Sequence, residues 1–388
     1  MKSKQAMNNQ FSFLKKAIHV KVLAALCVVS GATGALAAYD KPYIGETIEY
    51  TAKYEDTFVH LARDYNLGFV EMRAANPDAD PWIPGEGKKL ILPTRHILPD
   101  APHEGVVINL PEMRLYAYLN GDNEPFSFPI GIGREGLDTP IGGTKVVRKT
   151  EGPVWRPTAR MRKEKPELPE AVPPGPENPL GTHALYLGWP TYAIHGTNKP
   201  FGIGRRVSSG CIRMYPEGIT RLYELVPVGT PVQVVNQPVK LAWIGDELFI
   251  EAHPDIEQAI QMEETGFVSS PKLSDEDMKR ILKVAGPYKE RLRWAAIRTA
   301  IKERRGYPVP VARRPSIVVN GEAEEVDGGA AQDAPSEQAG LAVESDGDQG
   351  DKEAGPLEEI YAADHIDIAA GGDESAYSGS PKKRTLNP

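Results

Sequence analysis

The chain has 388 residues, of which 25% are charged and 40% hydrophobic, and its formal net charge is −8 at pH 7. That length accommodates two or three domains. The charge is uneven: from Ser316 onward 17 acidic and 4 basic side chains give about −13, so the rest carries roughly +5, which the lysines of the first 21 residues account for. The remainder is near neutral and lacks the basic face that a phosphate backbone requires, which excludes a nucleic-acid partner.

Lys2, Lys4, Lys15, Lys16 and Lys21 precede an apolar run from Val22 to Val29, and Ala35-Leu36-Ala37 has the A-x-A form of a cleavage site. The expectation is a secretory signal over residues 1–37 and a mature chain starting at Ala38. An uncleaved N-terminal anchor is the alternative. Lipid attachment at Cys27 is set aside, because Leu26 stands where such signals carry a small residue. No later segment has the roughly 18 apolar residues of a membrane span.

Residues 45–94 suggest a small α/β domain. Thr47 to Tyr54 alternates, with Ile48, Tyr50, Ala52 and Tyr54 on one face, which predicts a half-buried strand. Asp56 or Thr57 then caps a helix carrying Phe58, Leu61, Ala62 and Tyr65 on one side. Asn66-Leu67-Gly68 breaks it, and a second short helix carries Phe69, Met72 and Ala75 up to Asn76-Pro77. Lys89 to Leu92 closes the unit as a strand. This order resembles a LysM domain, a family whose fold binds the N-acetylglucosamine-containing glycan of cell walls. A structural module without glycan affinity is the alternative, because fold does not imply function. Arg95 to Pro102 reads as a linker.

Residues 104–236 hold short β-rich runs separated by turn residues: Val106–Leu110, Arg114–Tyr118, Pro125–Ile130, Lys145–Val147, Ala184–Leu187, Tyr192–Ile194 and Pro231–Val235. Such a pattern predicts a mainly β sandwich or barrel. One helix opens at Pro216, with Leu222 and Leu225 on its apolar face. Trp155 to Gly181 is proline-rich and too long for an idle connection, so it is a candidate lid. Gly131-Ile132-Gly133-Arg134-Glu135-Gly136 spells G-x-G-x-x-G, but a turn and not a helix follows, so a dinucleotide site is rejected. The glycines instead predict a turn beside the cleft.

In residues 239–310, Leu248 to Glu251 predicts one strand of a hairpin. Ser274 caps a helix that Gly286-Pro287 stops, and an arginine-rich helix follows from about Tyr288 to Arg305 with Leu292, Ala296 and Ala300 on a stripe. Such a charged face is usually solvated or docked on its own protein, and contact with an anionic wall or membrane surface is the alternative. Residues 316–388 are acidic, rich in glycine and alanine and poor in aromatics, which predicts a disordered tail.

Beyond the expected signal one cysteine is left, Cys211. A lone thiol in an exported protein is a buried spectator, a link to another chain, or a nucleophile. His195 stands sixteen positions upstream. A neighbouring imidazole can take the thiol proton. Gly210 permits unusual backbone angles, and amides around Gly210-Cys211 can form an oxyanion hole. Arg213 shares the cysteine's face if this stretch is extended, and can bind a carboxylate. The histidines are scattered without metal-ligand spacing, so neither a metal nor a cofactor is expected.

His195-Gly196-Thr197 followed by Val207-Ser208-Ser209-Gly210-Cys211-Ile212-Arg213-Met214 resembles the signature of the L,D-transpeptidase family with a YkuD-type catalytic domain. Gly105–Tyr116, Pro129–Gly133, Thr139-Pro140 and Pro174–Gly181 agree with it, and the likeness covers about residues 45–240, including the LysM-like unit of one Gram-negative subgroup. Many relatives have His-Gly-Cys where this chain has Ser209-Gly210-Cys211, which leaves His195 as the motif's histidine. The resemblance implies a periplasmic enzyme with Cys211 as nucleophile and His195 as general base. Gly196 would orient the imidazole, and Ser208, Ser209, Gly210 and Arg213 would position substrate or stabilise the oxyanion. Its partners would be peptidoglycan tetrapeptide stems and glycan, with another stem, an outer-membrane lipoprotein lysine or a free D-amino acid as acyl acceptor. A non-catalytic wall-binding protein and a hydrolase of lipoprotein links are the alternatives. NlpC-type peptidases have the cysteine before the histidine and sortases separate them further, so both fit poorly.

Overall fold

The computed structural model describes residues 39–119, 124–269 and 273–315. The expected signal over 1–37 and the acidic tail over 316–388 lie outside these residues. None of the described helices is long and apolar enough to cross a membrane.

The chain enters through a two-residue strand β1 (Tyr43–Ile44), then β2 (Ile48–Thr51), α1 (Phe58–Asp64), α2 (Phe69–Ala75) and β3 (Lys89–Leu92), with β2 and β3 antiparallel. Thr57 caps α1 by accepting the His60 amide hydrogen at 3.2 Å, and Asn66 takes a left-handed turn with φ 57° that ends it. The Asn76 side chain donates to the Met72 and Ile91 carbonyls and accepts the Ile91 amide, pinning α2 to β3. The first strand is shorter than its alternation predicts. Tyr54 is 83% exposed and Ile48 38%, because a two-stranded ribbon has nothing to cover its ends.

Arg95 to Pro102 is not a free linker. His96 and Ile97 form β4 (His96–Ile97) against β1, and residues 96–99 are buried. There follow β5 (Gly105–Asn109), β6 (Arg114–Tyr118), β7 (Phe126–Gly133), β8 (Gly142–Glu151), the short α3 (Ala159–Glu164), β9 (His183–Leu187), β10 (Ala193–His195), β11 (Arg206–Ser208), β12 (Ile212–Met214), α4 (Pro216–Leu225) and β13 (Pro231–Val235). Among the described residues nine of these strands form one sheet in the order β11-β7-β12-β10-β9-β8-β13-β5-β6. β7 also pairs with β6, so the sheet closes into a barrel, which removes its free edges. Val106, Ile108, Leu115, Ile130, Leu185, Ile194, Ile212 and Val234 fill the interior, and α4 adds Ile219 and Leu222. Gly131 and Gly133 lie inside β7, not in a turn as expected. A Cβ on Gly133 would stand 2.1 Å from the Leu137 carbonyl oxygen, so the glycines permit close backbone approach, and Gly136 makes the turn at φ 73°.

The C-terminal module is β14 (Val239–Ile244), β15 (Glu247–Ala252), α5 (Ala259–Thr265), α6 (Asp275–Ala285), α7 (Trp294–Glu303) and β16 (Val309–Arg313). The expected hairpin gains β16 as a third strand, antiparallel to β15. Ser274 caps α6 through the Asp277 amide. The second helix starts at Trp294 rather than Tyr288, because Gly286 to Arg291 winds as a tighter 3₁₀ turn. Its buried side is Ile297, Ala300 and Ile301.

Buried ions join the three units. Glu71 of α2 meets Arg114 of β6 at 2.7 Å, Arg205 meets Glu263 of α5 at 2.6 Å, and Lys240 of β14 bridges Glu112 at 2.5 Å and Glu251 at 2.8 Å. Glu112, Glu251 and His253 converge like metal ligands, but the Lys240 ammonium already pairs with both carboxylates.

Candidate active site

Cys211 lies in the tight turn between β11 and β12, and His195 ends β10. β10 and β12 are parallel neighbours, with Ile194 opposite Ile212 and His195 opposite Arg213. Paired residues share a face, and residues two apart along a strand do too. Cys211, His195 and Arg213 therefore gather on one side of the barrel wall, with Arg213's charge bearing on both others.

The turn is held by side chains already committed to it. Ser208 Oγ donates to the Cys211 carbonyl at 2.5 Å and accepts the Gly210 amide hydrogen at 3.1 Å. Ser208 is buried and its hydroxyl shapes the turn. The Gly210 amide hydrogen is thus held by Ser208. Gly210 has φ 106°, and a Cβ there would stand 2.9 Å from the Tyr192 ring. Thr139 Oγ1 donates to the Gly210 carbonyl at 2.9 Å and accepts the Gly133 amide at 3.1 Å. Arg206 donates to the Gly133 carbonyl and pairs with Asp138 at 2.7 Å. Sequence reasoning gave Thr139, Tyr192 and Arg206 no role. Thr139 precedes Gly210 by 71 positions, and no periodicity links residues so far apart. Ser209 is half-buried in the same turn.

The Cys211 thiol is half-buried and donates to the Thr191 carbonyl at 3.4 Å, rather than to the imidazole. Burial pushes its pKa up, while the Ala193 amide and then Arg213 pull it back. His195 is buried, and burial with Arg213's charge lowers it to about 4. Its Nδ1 lies 2.5 Å from the Gly196 carbonyl oxygen. A carbonyl only accepts, so Nδ1 carries the hydrogen and Nε2 keeps its lone pair. Gly196 is itself fixed by donating to the His183 carbonyl at 3.1 Å, and a Cβ on it would press on Ile219 at 3.0 Å. A neutral thiol and a neutral imidazole with a free Nε2 on one face can carry out general-base-assisted acyl transfer.

The 155–181 loop is largely irregular, with one bridge between Trp155 and Val172 and the helix α3. Asn178, fully buried, donates to the Pro153, Val172 and Pro173 carbonyls and folds the loop onto itself. Gly181 then packs against Gly196 and Thr197, next to His195. An open groove of about 650 Å³ lies past the β9–β10 turn, lined by Thr144, Lys145, Trp189, Pro231 and Gln233, and does not include Cys211.

The sequence of residues 103–234 matches the YkuD family, the L,D-transpeptidase catalytic domain. Residues 103–234 are thus similar to L,D-transpeptidase catalytic domains. The chain is 50% identical over 200 residues to the Probable L,D-transpeptidase YbiS of Escherichia coli strain K12, covering 50% of this chain and 65% of that protein. It is 48% identical over 199 residues to the Probable L,D-transpeptidase ErfK/SrfK of Salmonella typhimurium, covering 50% and 64%. The match thus spans less than two thirds of these relatives' length. A solved L,D-transpeptidase from Mycobacterium smegmatis is 24% identical over 38% of this chain and 63% of its own, with a TM-score of 0.28, too low to carry an argument.

Proposed function

We propose that this protein is a peptidoglycan L,D-transpeptidase acting in the periplasm. The observation that carries the reading is the pairing of β10 with β12, which sets the half-buried Cys211 thiol on the same face as an imidazole whose Nδ1 hydrogen is held by Gly196. In this reading Nε2 of His195 takes the thiol proton as sulfur attacks the carbonyl between the third residue of a tetrapeptide stem and its terminal D-alanine. The C–N bond breaks, D-alanine leaves with the proton from His195, and a thioester remains on Cys211. An amine acceptor attacks the thioester and regenerates the thiol. The acceptor is a second stem, giving a 3→3 crosslink, or a lipoprotein lysine. Arg213 stabilises the negative charge that develops on the attacked carbonyl, a place where fixed charge is worth most. The loop 155–181 acts as a lid beside His195, and the LysM-like unit holds glycan.

The test is the intact mass of the protein after incubation with a disaccharide-tetrapeptide, wild type beside Cys211→Ala. A Cys211-dependent adduct lacking the mass of D-alanine is expected. An adduct that survives in Cys211→Ala would sink the assignment.

A further inference from the structure

Ile194 and Ile212 fill the barrel interior, so the residues that follow them, His195 and Arg213, point out of it. The same alternation runs across β8 and β13. Val146, Val232 and Val234 are interior, which turns Gly143, Lys145, Pro231 and Gln233 outward. These four, with Thr144 and Trp189, line the groove of about 650 Å³. Groove and nucleophile therefore share the outer face of one sheet.

They also share one end of it. β10 and β12 are parallel and begin there, β9 ends there, and the Gly188 amide donates to the Lys145 carbonyl at 2.9 Å. The β9–β10 turn joins the two. Its Thr191 carbonyl accepts the Cys211 thiol hydrogen at 3.4 Å, and its Tyr192 ring lies against Gly210. Trp189 meets that ring edge-on, with centroids 6.2 Å apart. The strands β12, β10, β9 and β8 are successive neighbours, so three strand spacings, about 14 Å, separate Cys211 from Lys145.

The groove is open and chemically mixed. Gly143, Gly188 and Gly229 leave its floor without side chains, and the Gln233 amide oxygen lies 3.4 Å from where a Cβ on Gly143 would stand. An indole stands beside an amide, the Thr144 hydroxyl, the Lys145 ammonium and the Glu104 carboxylate, which supply both donors and acceptors. One cation and one anion leave it near neutral, so it does not attract a polyanion. An aromatic face among hydrogen-bonding groups suits a sugar, whose ring has an apolar face and a polar edge. The volume lies within the roughly 300–1,000 Å³ of small-molecule clefts. In the proposed reaction three stem residues, about 10 Å when extended, separate the attacked carbonyl from the sugar. The sugar then falls past Trp189, whereas the single leaving residue, about 3.5 Å long, stops short of the groove.

Resting on the transpeptidase reading, we propose that this groove binds the amino-sugar end of the donor stem, with Trp189 and Gln233 as its specificity-determining residues. A sugar held there lays the stem along the outer face and brings its third carbonyl to Cys211. Remote binding is thereby turned into acylation rate.

The experiment compares the second-order rates at which a disaccharide-tetrapeptide and the free tetrapeptide acylate Cys211, followed by intact mass. The wild type should prefer the sugar-bearing donor by about tenfold or more, and Trp189→Ala and Gln233→Ala should each cut that preference severalfold. Trp189 also supports Tyr192, so its loss can slow both donors, but a general disturbance cancels in the ratio. A wild-type ratio near one, or a ratio unchanged in both variants, would overturn the proposal. So would an effect confined to the second step, attack of an added stem on the thioester, because the groove would then belong to the acceptor. Failure of both donors to acylate the wild type would instead remove the transpeptidase reading. A binding measurement judges the groove independently of that reaction. In Cys211→Ala, the Trp189 indole N–H resonance, identified by its loss in Trp189→Phe, should shift on titration with the peptide-free disaccharide. A resonance that stays in place would overturn the proposal.

Discussion

At Cys211 and His195 the protein holds two groups that burial drives in opposite directions. The thiol goes up and the imidazole falls to about 4, so at pH 7 both are neutral. A preformed thiolate–imidazolium pair is thereby disfavoured, and the proton must cross while the C–S bond forms. Alkylation of Cys211 by iodoacetamide should accordingly keep rising with pH beyond about 9, the ordinary thiol range. Arg213→Gln should slow it at pH 8 by about 3- to 10-fold, since one unit of pKa is a factor of ten in thiolate. A rate plateau below pH 7 would mean that the ion pair exists in the resting protein. Gly210 is the second residue with a sharp prediction. Its φ of 106°, and the Tyr192 ring 2.9 Å from where a Cβ would stand, leave no room for alanine. Gly210→Ala should cost about 1–3 kcal/mol, read as a fall of several degrees in melting temperature.

At the scale of the element, the β11–β12 turn depends on Ser208, not on Ser209. Removing the Ser208 hydroxyl strands the buried Gly210 amide, a loss of about 1–3 kcal/mol concentrated where the nucleophile is placed. Ser208→Ala should therefore lower the rate of Cys211 acylation by more than tenfold, while Ser209→Ala changes it little, when both are followed by intact mass. Equal effects of the two substitutions would put Ser209 in the turn's support as well. The helices divide in the same way between local and distant causes. The starts of α1 and α6 follow from Thr57 and Ser274, whose hydroxyls bond an amide within their own first turn. The start of α7 does not, because no side chain caps it, and in the 3₁₀ turn before it Tyr288 packs on the distant Trp243.

For the whole molecule, the N-terminal unit and the barrel are joined by Glu71 and Arg114, both buried. Burial pushes the Glu71 carboxyl up, and Arg114 is the chief group opposing that. Arg114→Met should destabilise the chain by about 3–5 kcal/mol, because it leaves a buried carboxylate unpaired. The double variant Arg114→Met/Glu71→Leu should lose less than the two single losses added, as urea unfolding will show. Acid sensitivity follows from the buried histidines. His195 drops from 6.5 unfolded to about 4 folded, so the unfolded chain binds the extra proton between those values. Stability is then full above pH 6.5 and declines as pH falls toward 4, by roughly 3 kcal/mol for this group. His96, also buried and shifted well down, acts in the same direction. The urea midpoint of the wild type should fall between pH 7 and pH 5, and His195→Asn should shrink that fall.

Several features were legible in the amino-acid order alone: the β-rich character of residues 104–236, the helix caps, the lone thiol and its histidine. Each rests on alternation, capping or residue chemistry, which act within a few positions of the chain. The tertiary structure decided the rest. It closed the sheet through β6 and β7, turned Ser208 inward, bonded the Gly210 amide to it, and made the supposed linker at His96 a buried strand. It also set Thr139 under a turn 71 residues away and joined Glu71 to Arg114. These outcomes depend on contacts between residues tens of positions apart, whose geometry exists only once the barrel has closed and excluded water.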